Sequence, residues 1–321
     1  MIIYLPLESI DMRYTTHLDR DVRQYLESTH KNNYIILEAE NGDGKITAGS
    51  FLDAGLTIMS KSKQMYELAK LYRDGLINNG DIVFTTDLWF TGIEGIAYLN
   101  YFYDKKVKLK GVIHAGSFTD TDFVRDMERW AKGFEDSIFD ISDTIFVASN
   151  FIKKDIVKKR MVNESKIIVT GLPLDYLGMN EYKNELPKNN VIIFNGRNVD
   201  EKQPWLFEQL KEHLPKYEYV NTHKLNLSKK EYYELLSTSK AVVSFALQEN
   251  FGYGIQEAVY LGCIPIVPNR LVYVEQFDNK YRYDNFHQCI NIVDLVMNNK
   301  LTTPILKTKE NNRIFNQWFQ I

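Results

Sequence analysis

Short apolar runs alternate with helix-length amphipathic segments along this 321-residue chain, and that alternation narrows its choice of fold more than any other feature. In the first half, residues 2–5, 34–38, 81–85, 109–113, 144–148 and 166–170 read as strands. Between them, 19–29, 62–78, 92–103, 121–139 and 151–161 read as helices. Strands separated by helices cannot pair as tight hairpins, so the pattern predicts a parallel, doubly wound α/β sheet. A second set follows: strand 191–195, helix 204–214, strand 218–222, helix 229–238, strand 241–245, helix 254–261 and strand 264–267. Asn41, Gly42, Asp43 and Gly44 mark a turn.

At 44% hydrophobic and 25% charged, the composition suits a soluble globular protein of two compact domains. The pattern divides the chain into a first domain at 1–174, a polar linker at 175–190 and a second domain at 191–307. Residues 311–319 then place their apolar side chains on one helical face. No apolar run approaches the roughly 20 residues needed to span a bilayer. The N-terminus reads as a first strand rather than a secretion signal. Neither cysteine, Cys263 or Cys289, has a second Cys or His at zinc-ligand spacing. A reduced, cytoplasmic chain is the expectation.

The net charge of −3 argues against a large nucleic-acid-gripping surface. Two basic runs, 105–110 and 153–160, qualify that average. Each reads first as a solvated helix face or loop, and second as a surface for phosphate backbones or an anionic membrane.

Two glutamates eight positions apart, Glu249 and Glu257, carry the chemistry. Glu249 lies in a glycine-containing turn directly after the apolar run 241–247, and Glu257 lies inside the helix that follows. One acid and several backbone N–H groups therefore sit at the carboxyl end of a strand, where open α/β sheets bind ligands. Such a site holds a sugar at one end and a ribose at the other, with phosphates between. Upstream, Arg197 and Lys202 lie five apart in a loop after a strand. Alone they read as surface cations. Beside the glutamates they read as a diphosphate grip, Arg supplying a fork and Lys a point charge.

This E-x7-E arrangement resembles the donor motif of retaining GT-B glycosyltransferases of the family four type. Gly196, Arg197 and Lys202 resemble that family's G-R-x4-K loop, and Gly262 with Pro265 its following G-x-P strand. The resemblance implies two Rossmann-like domains facing across a cleft, the first for acceptor and the second for a nucleoside-diphosphate sugar. It further implies that a last helix, 308–321, packs back on the first domain. Glu257 would accept hydrogen bonds from the donor ribose and Glu249 from the transferred sugar. Asn250, Phe251, Gly252 and Gly196 would complete the donor site, although Phe251 reads equally as core. His114, on the loop after strand 109–113, would contact the transferred sugar. The implied chemistry is retention with no inverting base, no permanently bound cofactor and no obligatory metal, UDP-sugars being the favoured donors.

The acceptor side departs from the family. Residues 6–17 contain no glycine where family members carry a Gly-Gly loop. Arg13, His17, Ser117 and Asp120 become the acceptor-binding candidates. Asp120 and Asp122 match a D-x-D metal pattern but read better as the N-cap region of a helix from Phe123. Residues 262–273 resemble glycosyltransferases that decorate a modified tRNA base, and phage relatives of those enzymes. The leading acceptor is accordingly a hydroxymethylated base in phage DNA, within the host cytoplasm. Modified tRNA, a cell-surface polysaccharide or lipid, a GT-B-fold epimerase and a non-catalytic binder are the alternatives.

Overall fold

The computed structural model describes residues 1–9, 13–39, 53–184 and 187–320. The turn expected at 41–44 lies outside them. The chain divides into two units, Met1–Pro173 with Lys309–Ile321, and Leu174–Thr308.

Among the described residues, the first unit holds six strands: β1 (Ile2–Leu5), β2 (Tyr34–Ile36), β3 (Ile82–Thr85), β4 (Lys108–Ile113), β5 (Thr144–Val147) and β6 (Ile167–Val169). All pair in parallel, in the order β2-β1-β3-β4-β5-β6. Helices cover such a sheet, so the inner strands are apolar throughout; every residue of β1 and β3 is buried. Gly111 in β4 has a steric reason: a Cβ there would come within 2.8 Å of the Thr85 carbonyl oxygen.

The helices are α1 (Tyr14–Thr29), α2 (Ala54–Arg73), α3 (Gly95–Phe102), α4 (Glu128–Ile141) and α5 (Asn150–Lys159). Helix α2 starts eight residues before the expected position because the Asp53 carboxylate caps it, accepting from the Leu56 N–H at 2.7 Å. Helix α4 starts later than expected. Thr121 is left-handed (φ 63°), and the Asp122 carboxylate accepts from Val124 N–H at 3.1 Å ahead of a 3-10 turn, Arg125–Met127. Asp120 and Asp122 therefore shape a loop and do not cap α4, correcting the sequence expectation.

A buried ionic cluster joins α4 and α5 to the loop after β4. Glu135 and Arg160, with side chains 0% and 1% exposed, pair at 2.7 Å. Glu135 also accepts from Ser117 N–H at 2.6 Å, the Ser117 hydroxyl at 2.9 Å and Trp89 Nε1 at 3.0 Å. The basic run 153–160 thus points partly inward: Arg160 is core, and Lys159 pairs with Asp120 and Asp155 at 3.0 and 2.8 Å.

The second unit holds β7 (Asn189–Phe194), β8 (Glu218–Asn221), β9 (Ser239–Val243), β10 (Ile264–Pro268) and β11 (Arg282–Tyr283), parallel in the order β11-β10-β9-β7-β8. Its helices are α6 (Tyr176–Met179), α7 (Pro204–His213), α8 (Lys229–Thr238), α9 (Tyr253–Tyr260), α10 (Tyr273–Gln276) and α11 (Phe286–Met297). The segment read as a linker contains α6, capped by Asp175 and packed through the Tyr176 ring on Tyr260 at 4.9 Å. Sequence reasoning passed over α11, although Cys289, Ile292, Val293, Val296 and Met297 form a buried face at helical spacing.

The last helix, α12 (Asn311–Phe319), belongs to the first unit. Phe319 and Trp318 pack on Phe84 at 4.5 and 5.5 Å between ring centres, and Trp318 Nε1 donates to Thr170 Oγ1 at 3.1 Å. Among the described residues, no helix is long and apolar enough to cross a membrane.

Candidate functional site

In each sheet the strand order reverses beside the first strand, between β1 and β3 and between β7 and β9. Loops leaving such a pair of strands diverge to opposite faces of the sheet and open a crevice at their carboxyl ends. In the second unit a cavity occupies that crevice, lined by Asn195, Gly196, Lys202, Glu249, Gly252 and Gly254 among others.

Its first wall is the turn after β7. Gly196 allows the chain to double back, since a Cβ there would meet the Phe194 ring at 2.8 Å. The chain then runs through a 3-10 turn, Asp200–Lys202, and left-handed Gln203 (φ 50°) into Pro204 at the start of α7. Arg197 Nη2 pairs with Glu201 Oε1 at 2.6 Å. Lys202 is buried, donates to the Gln248 carbonyl, and stands 3.3 Å from Glu249 Oε2 and 3.6 Å from Glu201 Oε1. Leu247 N–H donates to the Glu201 carbonyl at 2.7 Å, fastening this wall to the next.

The second wall is the loop from β9 into α9. Glu249 Oε1 accepts from Gly252 N–H at 3.0 Å, which folds the turn onto itself. Gly252 caps α9 in the left-handed region (φ 78°). The first-turn N–H groups of Gly254 and Ile255 have no intrahelical acceptor, so the turn presents donors and a positive dipole end. Asn195 Nδ2 donates to the Gly254 carbonyl at 2.7 Å and to Tyr232 Oη at 3.0 Å, holding α9 against the end of β7. Replacing Gly252 by alanine is expected to cost about 1–2 kcal/mol through the left-handed backbone; urea denaturation of the variant measures it.

Glu257 is buried farther along α9. Its Oε1 accepts from Lys229 Nζ at 2.9 Å and Tyr233 Oη at 3.3 Å, and Tyr233 Oη also lies 3.0 Å from Asp175 Oδ2. Burial and the neighbouring Glu257 charge push the Tyr232 and Tyr233 hydroxyls well up, so both remain protonated donors. Asn250 and Phe251 are buried beside the turn; the Phe251 ring packs on Tyr253 at 4.8 Å and its carbonyl accepts from Gln276, a packing role. Arg197, Lys202, Glu249, Gly196 and Gly252 come together, with Glu257 on the same helix. Glu201, Asn195, Lys229 and Tyr233 were missed, the last three because their partners are distant in sequence. Glu201, next to Lys202 and one turn after Arg197, carried the one local signal.

In the first unit His114 follows β4, half-buried. Its Nε2 lies 2.8 Å from the Thr86 carbonyl, which only accepts, so Nε2 carries the proton. Its ring lies 5.2 Å from that of Tyr14. Burial holds the imidazole below its usual value, against the Asp87 charge and the Thr86 carbonyl. With the folded value below the unfolded one of about 6.5, the unfolded chain binds the proton first. The stabilisation is complete above that value and is lost as pH falls from it toward the lower folded value. A His114→Gln variant is expected to flatten the decline in melting temperature between about pH 7.5 and 5.5.

The acceptor candidates separate. Arg13 stands at the N-cap of α1. His17 is buried in α1, 3.4 Å from the Pro173 carbonyl. Asp120 is exposed and ion-paired with Lys159. Ser117 is fully buried, giving its hydroxyl proton to Glu135 and accepting from Arg160 Nη2 at 2.8 Å. That hydroxyl holds the loop and is not presented to a ligand, a correction to the sequence expectation.

No family model matches the chain. Among curated proteins, the tRNA-queuosine alpha-mannosyltransferase of Drosophila melanogaster is 33% identical over 90 residues, 28% of this chain; the match spans 23% of that protein's length. Among solved structures, the apo lipopolysaccharide outer core galactosyltransferase WaaB aligns over 99% of this chain and 94% of its own, with 13% identity and a TM-score of 0.60. Anabaena HepE in complex with UDP aligns over 99% and 95%, with 11% identity and a TM-score of 0.61. A UDP-forming alpha,alpha-trehalose-phosphate synthase from Burkholderia vietnamiensis aligns over 92% and 89%, with 9% identity and a TM-score of 0.60. With its two parallel-sheet α/β domains of six and five strands, the chain has the GT-B fold.

Proposed function

We propose that this chain is a retaining glycosyltransferase that takes its sugar from a nucleoside diphosphate, UDP-sugars first. The observation carrying the reading is the crevice between β7 and β9, where Lys202, Glu249 and the first turn of α9 line one cavity and Arg197 lies on its first wall. Departure of a nucleoside diphosphate concentrates negative charge on its terminal oxygens, and fixed donors aimed there lower the barrier. Arg197, Lys202 and the α9 N–H groups supply those donors, in the role a divalent cation takes elsewhere. Glu249 accepts from hydroxyls of the sugar and Glu257 from those of the ribose, Lys229 yielding part of its pairing.

In the proposed step the bond from the sugar's anomeric carbon to the β-phosphate oxygen breaks. The acceptor oxygen bonds to that carbon on the same face, and its proton passes to the departing phosphate oxygen. HepE is in complex with UDP and the trehalose-phosphate synthase is UDP-forming, which supports the choice of nucleotide. The acceptor we propose is a hydroxyl on a modified nucleobase. The similarity to a tRNA-queuosine mannosyltransferase supports a base, and a hydroxymethylated DNA base is tested beside tRNA.

The deciding experiment is mass spectrometry of nucleosides from hydroxymethylcytosine-containing DNA and from bulk tRNA, each incubated with the protein and a panel of UDP- and GDP-sugars. A hexose or pentose increment with one donor, surviving EDTA, is the expected result. Failure to bind UDP or any nucleotide sugar in calorimetry sinks the donor reading. Intact binding without an increment on either polymer removes the nucleobase acceptor.

A further inference from the structure

The crevice of the first unit holds a second cluster, built at the carboxyl ends of three adjacent strands. Glu8 lies on the loop after β1, Asp87 on the loop after β3 and His114 on the loop after β4. The three loops are fastened together: Leu7 N–H donates to Thr86 Oγ1 at 3.1 Å, and His114 Nε2 donates to the Thr86 carbonyl at 2.8 Å. The Gln64 amide donates to the carbonyls of Pro6 and Leu37 at 2.8 and 3.0 Å, fixing the start of the Glu8 loop.

Lys61 of α2 is buried among these loops. Its Nζ donates to the Trp89 carbonyl at 2.6 Å and sits over the Phe90 ring, and the charges of Asp87 and Glu8 favour its ammonium against the cost of burial. Asp87 in turn accepts from Trp89 N–H at 3.0 Å. Glu8 differs from its neighbours. It is 2% exposed, and among the described residues its Oε1 has no hydrogen-bond partner. A carboxylate oxygen withdrawn from water and left unpaired destabilises the free protein, and a ligand that donates a hydrogen bond to it relieves that cost.

We infer that Glu8, with Asp87 and His114 beside it, forms an acceptor-binding subsite for a group that donates hydrogen bonds, a hydroxyl or a protonated amine. Two carboxylates repel a phosphate and accept from such donors. The inference rests on the transferase reading and gives its acceptor a chemistry: a base substituent rich in hydroxyl or amino protons, read by Glu8, rather than the polymer backbone. The Arg13, His17, Ser117 and Asp120 set of the sequence analysis plays no part in it.

The test compares the full-length protein with Glu8→Gln and Glu8→Asp in three measurements: melting temperature without ligand, affinity for UDP, and transfer rate against concentration of hydroxymethylcytosine DNA and bulk tRNA. Glu8→Gln is expected to melt higher than the wild type, bind UDP with unchanged affinity, and show an acceptor KM raised about tenfold or more. Glu8→Asp is expected to recover part of the KM. A lower melting temperature for Glu8→Gln, marking Glu8 as a structural partner of Lys61, overturns the inference. So does an unchanged acceptor KM. Loss of UDP binding by the wild type is the separate outcome that overturns the donor reading.

Discussion

Replacing Arg160 by leucine is expected to destabilise the protein by about 3–5 kcal/mol, the largest stability effect of any single substitution considered. The cost arises from what is left behind. Glu135 is fully buried, and without Arg160 its charge keeps, among the described residues, the Ser117 and Trp89 donors and no paired cation. The guanidinium also lies against the Phe118 ring, 5.7 Å from its centroid, so the variant loses that contact as well. The Arg160→Leu, Glu135→Gln double variant is expected to recover a good part of the loss, since the stranded charge is gone. A double-mutant cycle in urea measures the coupling. Additive losses, or a single-variant cost near that of a surface pair, would show that the cluster carries no such energy. The same cluster holds Ser117, three residues after His114, so the variants are also expected to lower transfer rates at temperatures where they remain folded.

Lys202→Met is expected to reduce transfer by about 10²–10³-fold, with a smaller effect on donor affinity. The asymmetry follows from when charge appears. On the proposed reading, the diphosphate charge of the bound donor is already shared with Arg197 and the α9 turn, whereas bond breaking adds charge at the oxygen a nearby ammonium stabilises best. Lys202 stands between Glu249 and Glu201, held by the Gln248 carbonyl. Methionine preserves most of the packed volume, so the expected change in melting temperature is small. Rates of transfer and of acceptor-free donor hydrolysis, with UDP titration calorimetry, separate the effects. Equal losses in affinity and rate would make Lys202 a ground-state anchor. No loss in rate would remove it from the proposed chemistry.

Much of the fold was legible because its strands are buried on both faces and its helices on one. Uninterrupted apolar runs such as Ile2–Leu5 and helical stripes such as that of α8 are local, additive signals. Errors fell where a single side chain or backbone angle overrides the stripe. The Asp53 cap lengthened α2, left-handed Thr121 delayed the start of α4, and α11 was passed over despite its buried face. The donor candidates were legible for a related reason: Arg197 with Lys202, and Glu249 with Gly252, are close in sequence and set by one turn each. Their partners were not, because Glu257 meets Lys229 and Tyr233 across 28 and 24 positions, and Glu135 meets Arg160 across 25.

By itself, then, the sequence determined the alternation of strand and helix, hence parallel sheets, and the two turns whose chemistry marks the second crevice. Tertiary structure alone decided which charges are buried and with whom. It turned Arg160 of an apparently basic surface run into a core ion, withdrew Ser117 from any ligand, and brought Glu8, Asp87 and His114 to one edge. Periodicity records which face of an element avoids water. Pairing energy depends on distance and burial, which exist only once strands far apart in sequence lie side by side.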